Sequence, residues 1–426
     1  MTRRSICQPH EHLLARRELL GGLTAGGVLA GFGGMVRPAA AEQLSKTQKR
    51  VLVVFLAGGV SQLETWDPKP GTPTGGPFRA ISTSVPGIHI CELLPHTAKQ
   101  MHRMALVRGI NTKENDHGKG AYCMQTGRKQ EAASDYPHLG ALSARLMAPP
   151  NDPLPGFIRV TPKGEGSGKD SAYLGPRYAS VSLNDAKPPA NLVRPDGLSE
   201  SADSARQRVR ALADERFLSK RRTAMTDAYT YSYEQARQLM ERADVFDVTK
   251  EPAKDHERYG SHDFGRHCLL ARRLLESGTT FVQVSHTNYD SHYENFEFHI
   301  EQLGEFDRTF ATLLTDLADR GMLESTLVVV MSEFGRTPKI NQGYGRDHWG
   351  TAWSVALAGG RIHGGAAVGK TNDQGTAVVE REVDHGHLFH TYLEAVGLDS
   401  TATIDVGGRE LPVADPSRTA IKELLI

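Results

Sequence analysis

Short, unbroken apolar runs recur along the chain from residue 50 onward. Residues 51–57 (Val-Leu-Val-Val-Phe-Leu-Ala) end in Gly58-Gly59, and residues 104–108, 280–284, 326–331 and 353–357 repeat the form. A run of four to eight aliphatic and β-branched residues bounded by turn residues reads as a strand buried on both faces, as in a parallel sheet. Between these runs, residues 137–147, 263–277, 300–320 and 386–396 carry apolar side chains at helical spacing, and residues 93–102 do so more briefly. Strands alternating with such helices predict an α/β fold, a mostly parallel central sheet with helices on both faces.

Two stretches break the alternation. Residues 149–203 are rich in Pro, Gly, Ser, Asn and Lys without a sustained period, and read as an irregular surface insertion. Residues 205–243 set apolar positions at helical spacing among dense charge, which predicts one or two long amphipathic helices and makes 149–260 an irregular and helical insertion or cap. The cations there (Arg206, Arg208, Arg210, Lys220, Arg221, Arg222) read as a solvated helix face. Residues 405–426 are expected to add an edge hairpin and a short closing helix.

The N-terminus has a different character. Arg16-Arg17, a weakly apolar Gly-rich run over 21–36 and Arg37-Pro-Ala-Ala-Ala41 read as a twin-arginine export signal over 1–41, cleaved after Ala41. The expected organisation is therefore a leader and an α/β domain over 42–426, exported to the periplasm or beyond, with no stable membrane span once the leader is removed.

Composition narrows the partners. Lys plus Arg and Asp plus Glu are equal at 50 each, so no whole-chain field draws the protein to nucleic acid or an anionic membrane. Cys7 falls in the leader, and Cys91, Cys123 and Cys268 are too widely spaced for a zinc clip or a disulfide framework; buried thiols are expected.

In an open α/β sheet, ligand-binding groups gather on loops at the carboxyl ends of the strands. The loops that follow the apolar runs carry Ser61, Gln62 and Glu64; Asp116, His117 and Lys119; His286, Asp290 and His292; and Glu333 and Arg336, with Asp347 and His348 just ahead of the 353–357 run. Imidazoles and carboxylates at equivalent positions suit a divalent cation, Zn²⁺ or Mn²⁺, or with fewer imidazoles Ca²⁺ or Mg²⁺. Gly-rich loops without a G-x-G-x-x-G or Walker pattern give little support to a nucleotide site.

Several of these segments resemble known ones. Thr326-Leu-Val-Val-Val-Met-Ser-Glu333-Phe-Gly-Arg-Thr-Pro338, Gly345-Arg-Asp-His348-Trp, Ala356-Leu-Ala-Gly-Gly-Arg-Ile-His-Gly-Gly365 and Asp384-His-Gly-His-Leu-Phe-His-Thr-Tyr-Leu-Glu-Ala-Val-Gly-Leu398 resemble the C-terminal half of the sulfatase and alkaline phosphatase superfamily. Together with Gly58-Gly-Val-Ser-Gln-Leu-Glu-Thr-Trp-Asp-Pro-Lys-Pro70 and Asn115-Asp-His-Gly118, about residues 48–400 resemble the exported bacterial family called domain of unknown function 1501. The resemblance implies an alkaline phosphatase/sulfatase-like fold and an exported protein with no established reaction, read as a metal-dependent hydrolase of phosphate or sulfate esters, on small molecules or a polysaccharide.

Carried over by position, the resemblance implies metal ligands at Asp290, His292, Glu333, Asp347 and His348. It places Thr126-Gly127-Arg128 at the end of the sulfatase signature and His117 in the nucleophile slot, with Cys123 too late for that role. Gly58-Gly59 stands where the superfamily has a ligating Asp, Ser61 and Glu64 being the nearest substitutes, and Phe334 where it has a histidine. His117 thus reads as a metal ligand or as a nucleophile or general base. Arg336 and Lys119 read as cations toward an anionic ester, and Ser61, Gln62 and Arg128 as substrate contacts. The alternative is a non-catalytic protein that binds metal, carbohydrate or a partner on the same fold.

Overall fold

A computed structural model describes residues 48–132, 134–149, 154–162, 170–188, 192, 194–218 and 224–426. The leader read over 1–41 lies outside them. Eight strands form one sheet: β1 (Arg50–Leu56), β2 (Met104–Ile110), β3 (Phe157–Thr161), β4 (Val181–Asn184), β5 (Phe281–His286), β6 (Thr326–Met331), β7 (Trp353–Ala358) and β8 (Ala366–Val368). Their order is β8-β2-β7-β6-β1-β5-β3-β4, and every pairing is parallel except those of β7 with β2 and β6. The helices that matter below are α1 (His117–Thr126), α2 (Leu139–Met147), α3 (Glu200–Leu218), α4 (Ala224–Glu241), α5 (Asp263–Glu276), α6 (Asn295–Asp319) and α7 (His385–Ala395).

Because successive strand residues point to opposite faces, each apolar run supplies two cores at once. Leu52, Val54 and Leu56 of β1, with Val328 and Val330 of β6, pack on Leu269 and Leu274 of α5 and Phe306, Phe310 and Leu313 of α6. Val51, Val53 and Phe55, with Leu327 and Val329, face Leu139 and Leu142 of α2 and Leu388, Phe389 and Tyr392 of α7. The α/β class with a mostly parallel sheet and helices on both faces is therefore the observed one.

Three boundaries differ from the sequence reading. The stretch read as irregular contributes β3 and β4, which extend the sheet beyond β5; Arg159 and Ser182 interrupt what would otherwise be apolar runs. Helix α6 starts at Asn295, five residues before the periodicity does, because its first inward-facing side chains are the buried polar residues Asn295 and His299. The helix expected over 93–102 shrinks to Pro95–Ala98 and a 3-10 turn, Met101–Arg103, held by the Asp307 carboxylate, which accepts from the His96 and Thr97 N–H groups at 2.7 Å each. At the C-terminus, Thr403–Asp405 and Glu410–Pro412 pair as a hairpin, and Lys422–Leu424 forms a 3-10 turn. Cys91, Cys123 and Cys268 are buried and free.

Candidate metal centre

The strands β6, β1 and β5 are adjacent and parallel, so the loops at their carboxyl ends emerge side by side. The β1 loop passes directly against the β5 loop at Gly58. Its φ is +114°, and a Cβ there would lie 2.5 Å from the Asp290 nitrogen, so glycine is what lets the two backbones meet. Its N–H donates to Glu333 Oε1 at 2.9 Å, which ties in the β6 loop. The β2 loop delivers His117 as the first residue of α1, whose N-cap, Asp116, accepts from the Lys119 N–H at 3.0 Å.

Three imidazoles converge there on one carboxylate. His348 Nε2 and His292 Nε2 each lie 3.2 Å from Asp290 Oδ1, and His117 Nε2 lies 3.4 Å from Asp290 Oδ2. The Nε2 atoms of His292 and His348 are 3.0 Å apart. On the opposite side of each ring, Nδ1 has an oxygen partner: Glu333 Oε1 at 2.7 Å for His117, Asp347 Oδ1 at 2.8 Å for His292 and the Asn115 carbonyl at 2.8 Å for His348. A carbonyl only accepts and a carboxylate holds the Nδ1 proton, so in the neutral tautomers every Nε2 lone pair faces Asp290. Lone pairs at such distances repel unless positive charge lies between them.

That donor set fits a divalent cation. A tetrahedral site with bonds of about 2.0–2.1 Å separates its donors by about 3.3 Å, and carboxylate or carbonyl oxygens on the far ring nitrogens are the usual outer support of metal-bound histidine. His117, Asp290 and His348 each offer a ligand atom within 4.8 Å of the others. Glu333 and Asp347, expected as ligands, stand behind the imidazoles. Glu333 is committed further: Oε1 also takes the Gly58 N–H, and Oε2 lies 2.8 Å from the Ser332 hydroxyl.

The charge balance at Asp290 has a second contributor. Arg336 is fully buried; its guanidinium donates to Asp290 Oδ1 at 2.5 Å, to Gly59 O at 2.8 Å, to Arg346 O at 3.0 Å and to Gly58 O. Partial burial pushes the Asp290 carboxyl up, but the bond and charge of Arg336, with His348 and His117, hold it at about 2. His117 moves the other way: its bond to Glu333 outweighs burial and raises its pKa. Phe334 closes one side, its ring centroid 4.9 Å from that of His117 and 4.4 Å from that of His348.

Other expected site residues lie elsewhere or are bonded internally. Ser61 and Gln62 are buried; the Gln62 amide clamps the Arg336 backbone at 2.8 and 3.0 Å, and Ser61 N–H donates to His299 Nε2 at 3.2 Å. Arg128 lies past the far end of α1 from His117, about 15 Å along a ten-residue helix, and donates to Ala414 O at 2.5 Å. Lys119 is exposed on the first turn of α1. Beside His117 and Glu333 opens a cavity of about 550 Å³, lined also by Arg159, Gln125 and Thr287 over an apolar floor of Phe55, Ala57 and Ala121. Sequence reasoning missed Asn115, whose carbonyl orients His348, because a backbone atom leaves no mark in residue type.

The site thus defines an α/β protein with a His/Asp cluster at the carboxyl ends of its central strands. The chain belongs to the family described as protein of unknown function (DUF1501), whose model matches residues 48–425. No curated protein matches this sequence. Solved structures to which it is similar include the lipoteichoic acid synthase LtaP from Listeria monocytogenes (8% identity, 90% of this chain and 78% of that one, TM-score 0.41). They also include the PsFucS1 sulfatase from Pseudoalteromonas sp. (13% identity, 85% and 72%, TM-score 0.39) and alkaline phosphatase from the Antarctic bacterium TAB5 (15% identity, 82% and 98%, TM-score 0.35). The chemistry below rests on this chain's own residues.

Proposed function

We propose that this chain is a metal-dependent hydrolase of phosphate or sulfate esters that works outside the cytoplasm after twin-arginine export. The observation that carries the reading is the convergence of the His117, His292 and His348 Nε2 atoms on Asp290 while each Nδ1 is held by an oxygen. His117, Asp290 and His348 would hold the cation and leave it an open position, with His292 packed against both Asp290 and His348. Bound there, it supplies Lewis acidity toward an ester oxygen and lowers the pKa of water. His117 is then a ligand and not a nucleophile, because its Nε2 is turned to Asp290. Glu333 keeps the proton on His117 Nδ1, Arg336 fixes the Asp290 carboxylate, and Lys119 with the positive end of α1 favours an anionic group entering beside His117. The 550 Å³ cavity gives that group a place with Arg159 in its wall.

One observation favours a second reading, a non-catalytic binding protein on the same fold: Arg336 already compensates much of the Asp290 charge. Elemental analysis of protein purified from its exported fraction without added metal separates the two, followed by assays with 4-nitrophenyl phosphate and 4-nitrophenyl sulfate. The hydrolase reading expects about one equivalent or more of a transition metal, lost in His348→Ala, and metal-dependent turnover. No metal in the purified protein sinks it; metal without turnover on either ester favours the second reading.

A further inference from the structure

Tyr344 and Tyr293 are the two most exposed large apolar residues among those described, at 71% and 70%. Both sit on the loops that carry the His/Asp cluster, Tyr293 next to His292 and Tyr344 three residues before Asp347. The backbone adopts disfavoured geometry to present them: φ is +55° at Tyr344 and +50° at Glu294, a region that side-chain-bearing residues rarely enter. The two loops are locked together. Glu294 N–H donates to Gly343 O and Asn295 N–H to Tyr344 O, both at 3.0 Å, while Asn341 accepts from the Gly343 and Gly345 N–H groups at 2.9 Å and donates to His292 O at 2.9 Å. The Tyr293 ring rests on the Gly343 backbone, where a Cβ would lie 2.5 Å from its Cδ1.

Exposed aromatic rings carried on braced loops beside the cluster offer a surface for contact. We propose that Tyr293 and Tyr344 form a shelf on which sugar rings stack, so that the ester cleaved at the cluster is carried on a glycan. This deepens the hydrolase reading and rests on it. A pyranose presents a flat C–H face to an aromatic ring and hydroxyls at its edge, and exposed Glu294 and Gln342, chain neighbours of the two tyrosines, offer hydrogen-bonding groups for those hydroxyls.

The test is calorimetric titration of the full chain, with and without EDTA, using sulfated and phosphorylated oligosaccharides and their ester-free counterparts. The expected result is binding of oligosaccharide that weakens at least tenfold in Tyr293→Ala/Tyr344→Ala and survives in Tyr293→Phe, with metal content and thermal midpoint of the variants unchanged. Binding to none of these oligosaccharides, equal binding by the double alanine variant, or self-association of the native chain that the alanines abolish would each overturn the shelf. The two readings fail separately: tyrosine-dependent binding by a protein without metal removes the hydrolase and leaves the shelf, and ester turnover without oligosaccharide binding does the reverse.

Discussion

Two arginine–carboxylate pairs, both with their arginine on the segment between β6 and β7, meet opposite fates. Glu64 and Arg346 are both fully buried, with Arg346 donating at 2.8 Å to Oε1 and 3.1 Å to Oε2, and Asn295 donating to Oε2 at 3.0 Å. The remaining guanidinium hydrogens go to the Thr74, Thr337 and Pro338 carbonyls. Asp290 and Arg336 begin alike, with the arginine fully buried and bound to backbone carbonyls, but the Asp290 side chain is 48% exposed and faces three imidazoles. The closed pair has both carboxylate oxygens bonded inside the protein and so holds loops together. The open pair leaves acceptor capacity directed at incoming positive charge.

That contrast is broken most directly at Asp290. Asp290→Asn should abolish metal retention, weakening affinity by more than the roughly 10–100-fold that loss of an outer partner typically costs, and should lower the urea midpoint of the metal-free protein by less than Glu64→Gln does, because Asp290 is half exposed. Metal analysis after gel filtration reads the first and denaturant unfolding the second; full metal content in the variant would remove Asp290 from the ligand set.

Glu64→Gln should do the reverse. Removing one partner of a buried ion pair leaves the other charge uncompensated, so unfolding free energy should fall by about 3–5 kcal/mol. Metal per folded molecule should stay at the native value. A variant that kept its stability and lost metal would show that Glu64 acts at the centre and that the two pairs are not distinct.

Glu333→Gln is the smaller test of how the open pair is supported. The amide keeps the shape but no longer holds the Nδ1 proton of His117 as a carboxylate does, so metal affinity should drop roughly 10–100-fold. Competition with a chromogenic chelator measures it. An unchanged affinity would place His117 outside the ligand set.

The same contrast explains what the sequence made legible. Unbroken runs such as Thr-Leu-Val-Val-Val-Met of β6 mark a strand by composition alone, and the rule of carboxyl-end loops brought Asp290, His292, His348 and His117 to one place. β3 escaped because Arg159 sits inside its apolar run. Residue type showed that Glu333 and Asp347 are donors but not that they stand on the Nδ1 side of a ring, which depends on the direction of approach between loops far apart in sequence. Ser61 and Gln62 look like site residues beside a glycine turn, yet both are buried, with the Gln62 amide spent on the Arg336 backbone and the Ser61 N–H on His299. Local pattern carries no measure of burial, which separates a bond made inward from one offered outward.

The mildest probe of the comparison is pH. Burial pushes the Glu64 carboxyl up, but the charge and hydrogen bonds of Arg346 and the charge of His299 prevail and hold it below its ordinary value. A carboxyl whose pKa is lower folded than unfolded contributes stability above the unfolded value, about 4.3, and loses it as pH falls toward the folded one. One such group changes the unfolding free energy by at most about 1.4 kcal/mol per pH unit. Urea midpoints of the native chain should therefore decline below about pH 4.5, and the Glu64→Gln profile should be flatter there by up to that slope. Asp290 is also held low, at about 2, so Asp290→Asn is the needed control. Half exposed, it should remove less of the acid slope than Glu64→Gln does, since solvent screens its interactions. Equal flattening by the two variants would mean that the open pair contributes to folding as much as the closed one, and the division of labour between them would fall.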